Sequence, residues 1–248
     1  VRYYRALQKY IRQGNGLYMT DWASMDNSPR NAHLAGGGTA VDTSAEMVLF
    51  ANQLSEIAAL LGKNDEALSF GKEAEELVKL INEKMWNAER KFYFDLTVDG
   101  KQAPAKTIAA YWTLLAGVAS PEQAEALAAE LRDPRSFGRK HRVPTTPADQ
   151  QGFDPAGGYW QGAVWAPTNT MVIRGLERRW PGARCSRRAA ARRARGPPGS
   201  RRRGDSRAAG RLVWRSPSAI HRLDFKVSIR SVRARIFPVS LPKLGFLK

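Results

Sequence analysis

The chain has 248 residues with 43% hydrophobic content, enough for one sizeable packed domain, and its single cysteine, Cys185, excludes an internal disulfide framework and any multi-cysteine metal site. The formal charge of +17 points at first to nucleic acid, but 19 of the 40 Lys and Arg and only two of the 23 acids lie beyond Trp180. Residues 1–180 therefore hold 21 charges of each sign, and the basicity describes the tail and not the domain. No apolar run is long enough to span a bilayer, and the start VRYYRALQKYIRQG has no signal-peptide core, so a cytoplasmic protein without membrane partners is expected. The chain opens on Val1 inside an amphipathic pattern, which suggests a fragment or an alternative start codon.

In chain order, residues 1–13 read as a helix closed by Gly14-Asn15-Gly16, and residues 17–41 as a loop with Gly36-Gly37-Gly38 its most flexible part. Asp42-Thr43-Ser44 supplies caps for a helix with Glu46 in its first turn. Its stripe is Met47, Phe50, Leu54, Ile57, Leu60 and Leu61, and Gly62 stops it. Asn64-Asp65 starts a second helix, with Ala67, Phe70, Ala74, Leu77, Leu80, Ile81 and Met85 on one face. Residues 91–95 are strand-like and Asp99-Gly100 is a hairpin turn signal. An apolar helix follows over 105–118, and Ser120-Pro121-Glu122 opens another that runs to about Leu131. Residues 133–158 form a long loop, and a helix begins near Pro167-Thr168. Helix pairs on short turns, alternating with long loops, predict an all-α domain of antiparallel hairpins over residues 1–180.

Past Trp180 the texture changes. Residues 181–248 hold 16 Arg and no helical stripe. They read as a disordered basic tail, as a phosphate-binding arm, or as non-native sequence of the kind a GC-rich gene gives out of frame. The break falls inside a well-patterned helix, which favours the last.

The run TDWASMDNSPRN, residues 20–31, concentrates Trp22, Met25, Asp21 and Asp26 in a loop. Aromatic planes suit the C–H faces of sugar rings, and planar polar side chains suit their hydroxyls. Glycoside hydrolysis further needs two carboxyl groups across the scissile bond. Taken singly, each tryptophan reads more readily as core and each aspartate as a cap. Trp22, Asp26, Tyr159, Trp160 and Trp165 together, on long loops of a helical scaffold, read as a carbohydrate site.

WASMDNSPR resembles the general-acid loop of glycoside hydrolase family 63 and its relatives, including trehalases, and GGYWQGAVWAPTNTMVIRGL resembles the second signature of that clan. VDTSAEMVLFANQLSEIAALLG and KTIAAYWTLLAGVASPEQAEAL are most similar to the mannosylglycerate or glucosylglycerate hydrolase branch. The resemblance covers about residues 1–180, and its two motifs occur in the family's order. It implies an (α/α)6 toroid, here partial and incomplete at both ends, and an inverting hydrolase of small carbohydrates without a metal or other cofactor. Asp26 is then the general acid, its pKa raised by burial beside Trp22 and Met25. Asn27 and Arg30 hold the loop or contact the sugar, and Tyr159, Trp160, Gln161 and Trp165 line the pocket. Gln161 stands where many clan members have arginine, and Asp21 is a reserve acid. The resemblance places the catalytic base at a glutamate well downstream of the Thr-Asn helix, where this chain has no glutamate after Glu177. Asp149 and Asp154 match no base position of the family. Little or no hydrolysis by this chain is the expectation, with a non-catalytic carbohydrate-binding remnant as the alternative. A nucleic-acid-binding protein acting through residues 181–248 ranks below both, and the oligomeric state stays open.

Overall fold

The protein is described by a computed structural model over residues 1–20, 25–180, 212–216 and 219–223. It divides into two compact units, Val1–Arg195 and Gly196–Lys248. In the second unit, β3 (Leu212–Ser216) and β4 (Ala219–Leu223) pair antiparallel, with Leu212 opposite Leu223. The rest of residues 181–248, including most of the Arg-rich tail, lies outside the described residues.

The first unit is mostly helical, as its periodicity predicts. Helix α1 spans Arg2–Ile11, and the short α2 (Asn31–Leu34) interrupts the expected loop. α3 (Val41–Leu60) and α4 (Asn64–Lys84) form a long hairpin, turned by Gly62 in the left-handed region at φ 71°. Phe70, Ala74, Leu77 and Ile81 of α4 are buried, and Tyr4 of α1 packs edge-on against both Phe50 and Phe70. Each such aromatic contact adds about 0.5–1.5 kcal/mol beyond area burial. The expected stripe on α3 holds only in its first half. Met47 and Leu54 are buried, whereas Ile57, Leu60 and Leu61 are exposed near the hairpin tip.

Two residues of the strand-like segment form β2 (Phe92–Tyr93). They pair upstream with β1 (Trp86–Asn87) instead of across the Asp99-Gly100 turn. That turn still closes, with Gly100 donating its N–H to the Thr97 carbonyl and Leu96 bridging Gln102. The predicted helix over 105–118 is shorter: a 3-10 turn at Ile108–Tyr111 leads into α5 (Trp112–Ala116). Thr107 before it is extended, at φ −142°, so the helix cannot begin sooner. α6 (Pro121–Glu130) starts as its sequence dictates. Ser120 and Gln123 form a reciprocal capping box, with Pro121 at the first helical position.

α7 (Ala166–Arg179) crosses α5 where Gly175 lets the backbones meet, and a Cβ there would lie 2.8 Å from Leu114 Cβ. The intervening loop is tied down rather than free. Thr145 accepts from the Ile108 N–H and donates to the Ala163 carbonyl, and Lys106 Nζ bonds Glu130 at 2.8 Å and Asp149 at 2.6 Å.

Candidate active site

The turn at residues 25–31 is anchored from below by a guanidinium. Arg30 is 1% exposed and donates to both carboxylate oxygens of Asp42, at 2.6 and 2.8 Å. Its Nη2 also reaches Asp95 Oδ1 at 3.0 Å, and its Nε lies 2.9 Å from Asp95 Oδ2. Asp95 in turn accepts the N–H of Val41, so one carboxylate joins the loop anchor to the start of α3. One expectation is corrected here, and of the two roles open to Arg30 one is selected. Asp42 is no helix cap: it lies inside the first turn of α3, where the backbone of Ala40 is the N-cap and the Asp42 carboxylate is spent on Arg30. Arg30 holds the loop and has no surface left to touch a sugar.

The charges in this buried trio are unequal. Burial opposes ionisation of both acids. At Asp42 it is overcome by Arg30 and by the N–H of Thr43, and the pKa falls below the ordinary range. At Asp95 burial prevails over Arg30, aided by the negative charge of Asp42, and the pKa rises. Arg30 itself is held charged, because its two partners outweigh its loss of hydration.

Above this anchor the chain turns sharply. Met25 is buried with φ 61°, Ser28 donates its N–H to the Met25 carbonyl at 2.8 Å, and Arg30 Nη1 lies 3.4 Å from the Met25 sulfur. Asp26 stands at the crest of the turn and is exposed. Burial beside Met25, as expected for the acid, is therefore not seen at Asp26; Trp22 and Asp21 lie outside the described residues. Asn31 Nδ2 donates to the carbonyls of both Met25 and Asp26, at 2.9 Å each.

The second motif is bound directly to this turn. Asn27 Nδ2 donates to the Gly158 carbonyl at 2.9 Å, and its Oδ1 accepts the Trp160 N–H at 2.9 Å. Pro29 packs beside Gly152 so closely that a Cβ there would sit 2.9 Å from its ring. Tyr159, Trp160 and Trp165, which the sequence groups, form one cluster. The Trp160 and Trp165 rings stack at 5.0 Å and 6°, and Tyr159 stands edge-on to Trp165 at 5.2 Å. Trp165 Nε1 donates to the Tyr159 carbonyl, and Thr146 Oγ1 donates to the Trp160 carbonyl. Both indoles are half-buried and Tyr159 is exposed, so aromatic surface stays open beside the Asp26 turn.

Gln161 closes the motif through its backbone, accepting the Asp154 N–H at 2.7 Å. The other loop carboxylates have structural partners: Asp154 accepts the Ala156 N–H, and Asp149 pairs with Lys106. Glu177 pairs with Arg174 at 3.3 Å and is itself buried. Asp42, Asp95 and Asn31 escape a sequence reading because their partners lie elsewhere in the chain or are backbone carbonyls. Among the described residues no group of three or more His, Cys, Asp or Glu could hold a metal ion, and no helix is long and apolar enough to cross a membrane.

Comparison with known proteins gives this geometry a setting. A mannosylglycerate hydrolase from Rubrobacter radiotolerans is 33% identical over 129 residues, covering 50% of this chain and 28% of that protein. An uncharacterised protein of Borreliella burgdorferi is 29% identical over 71% of this chain and 37% of its own. The chain thus spans between about a quarter and little more than a third of these two relatives' own length. The structure of the GH63 mannosylglycerate hydrolase from Thermus thermophilus in complex with Tris aligns with a TM-score of 0.52 and 26% identity, over 70% of this chain and 41% of that one. Neutral trehalase from Saccharomyces cerevisiae, 17% identical, shares the fold with a TM-score of 0.54 over 64% of this chain and 31% of its own. The family model described as the mannosylglycerate hydrolase MGH1-like glycoside hydrolase domain matches residues 1–197, running past Trp180. The chain belongs to that glycoside hydrolase family.

Proposed function

We propose that this chain carries the general-acid half of an inverting glycosidase for a small α-glycoside such as mannosylglycerate or glucosylglycerate. Its helix hairpins are then part of an (α/α)6 toroid. The observation that carries the reading is the pair of hydrogen bonds from Asn27 to Gly158 and Trp160, which sets the Asp26 turn beside the aromatic cluster. The Trp160–Trp165 stack offers a rigid apolar wall to a sugar ring, with Tyr159 and Gln161 as polar edges. Asp26, protonated, gives its proton to the departing glycosidic oxygen, and water attacks the anomeric carbon from the opposite face. Closure of sugar and aglycone over the Asp26 turn excludes bulk water from the reacting bond.

An inverting reaction also needs a second carboxylate to activate that water, at about 6.5–9.5 Å from the acid. No glutamate follows Glu177, and Asp149 and Asp154 are committed to structural bonds, so slow turnover is expected. Assay with mannosylglycerate, glucosylglycerate and trehalose, reading the anomer first released, tests the proposal. Turnover that survives Asp26→Asn sinks the acid assignment, and release of the retained anomer sinks inversion. The exposure of Asp26 favours one second reading, a carbohydrate-binding protein without catalysis. It predicts a melting temperature raised by these glycosides with no product at all.

A further inference from the structure

We propose that Asn31 is a positioning residue for the acid: its side-chain amide fixes the peptide that carries Asp26, and so the direction in which that side chain leaves the backbone. The inference rests on the reading of Asp26 as the acid. Both hydrogens of the amide are used, one on the Met25 carbonyl and one on the Asp26 carbonyl, each at 2.9 Å. Both partners are acceptors, so the nitrogen of the amide must face them. Holding the Asp26 carbonyl fixes the torsion between its Cα and C, and with it the vector along which the side chain leaves the backbone.

The rest of the turn makes this grip consequential. Met25 sits at φ 61°, a left-handed conformation that a long side chain adopts only under constraint. Arg30 pins Met25 from below through Asp42 and Asp95, and Asn27 ties the far side to Gly158 and Trp160. Asp26 lies between these two anchors, exposed, and Asn31 supplies the bonds that act on its own peptide. Asn31 is only half-buried at the first position of α2, so replacing it does not empty the core.

The test compares Asn31→Ala and Asn31→Asp in the full chain. The first removes both donors; the second points a carboxylate at two carbonyl oxygens and is expected to be worse. Amide hydrogen exchange should show protection lost at the Ser28 N–H and its neighbours, with α3 and α4 unchanged. With mannosylglycerate, kcat should fall by about 10–100-fold while KM stays within about twofold. Unchanged exchange at residues 25–31 in both variants overturns the proposal, as does a loss of protection spread evenly over α3 and α4. If Asp26→Asn abolishes hydrolysis while both Asn31 variants keep full kcat, the positioning role fails and the acid assignment stands. If Asp26→Asn leaves hydrolysis intact, the acid assignment itself has failed. Should wild-type turnover be too slow to measure, the exchange pattern decides.

Discussion

Arg30 closes on Asp42 as a two-pronged pair, at 2.6 and 2.8 Å, with both side chains almost out of reach of water. A planar guanidinium is required, because the same group must also meet Asp95 along a second edge. Arg30→Met would strand two buried acids and should cost about 3–5 kcal/mol of stability. Arg30→Lys should recover only part, since an ammonium cannot serve both carboxylates in these directions. Urea unfolding of the two variants measures both values.

Asn27→Ala removes both bonds between the Asp26 turn and residues 158–160. At about 1 kcal/mol each, the global cost should be about 1–2 kcal/mol. Sugar affinity should fall further than that figure implies, because the Tyr159, Trp160 and Trp165 cluster loses its registry with Asp26. Titration of tryptophan fluorescence with mannosylglycerate checks it, and unaltered affinity would falsify the coupling.

Glu46 lies one helical turn beyond Asp42. The residue is exposed, yet its carboxyl end is crowded by protein, and lost hydration together with the charge of Asp42 pushes its pKa up to about 7, against the pull of Arg30. The unfolded chain gives up this proton at a lower pH than the folded one. The contribution of Glu46 to stability is therefore fully present below the ordinary glutamate range and is lost as pH climbs toward 7. Glu46→Gln should flatten that decline, as read from melting temperatures between pH 4.5 and pH 7.5.

Gly175→Ala tests the crossing of α5 and α7. Alanine improves helix propensity by about 1 kcal/mol. The added Cβ, however, meets Leu114 Cβ at 2.8 Å and the Leu115 nitrogen at 3.0 Å, so the helices must part. A net loss of about 1–2 kcal/mol is expected by thermal unfolding, and a gain would show that the crossing is loose.

What the sequence discloses and what it hides divide along the range of the interactions. The capping box of α6 is legible because Ser120 and Gln123 satisfy each other within one turn. The hairpin of α3 and α4 is legible for the same reason. Asp42 misleads because it carries the composition of a cap, while the guanidinium that takes both its carboxylate oxygens stands at position 30. The aromatic cluster could be grouped from Tyr159, Trp160 and Trp165, which are near neighbours in the chain. That Asn27 would clasp their backbone is written nowhere locally. Ile57, Leu60 and Leu61 follow the helical period and still lie exposed, since a stripe states which residues share a face and not whether anything covers it.

The clamp between Asn27 and Gly158 joins positions 131 residues apart. Closing so long a loop is among the slower steps of folding, whereas α3 and α4 touch through neighbouring sequence. Helical circular dichroism should thus recover early in a refolding experiment, and tryptophan emission should lag behind it, making the junction of these two distant loops the last feature the chain acquires and the first that mild denaturant takes away.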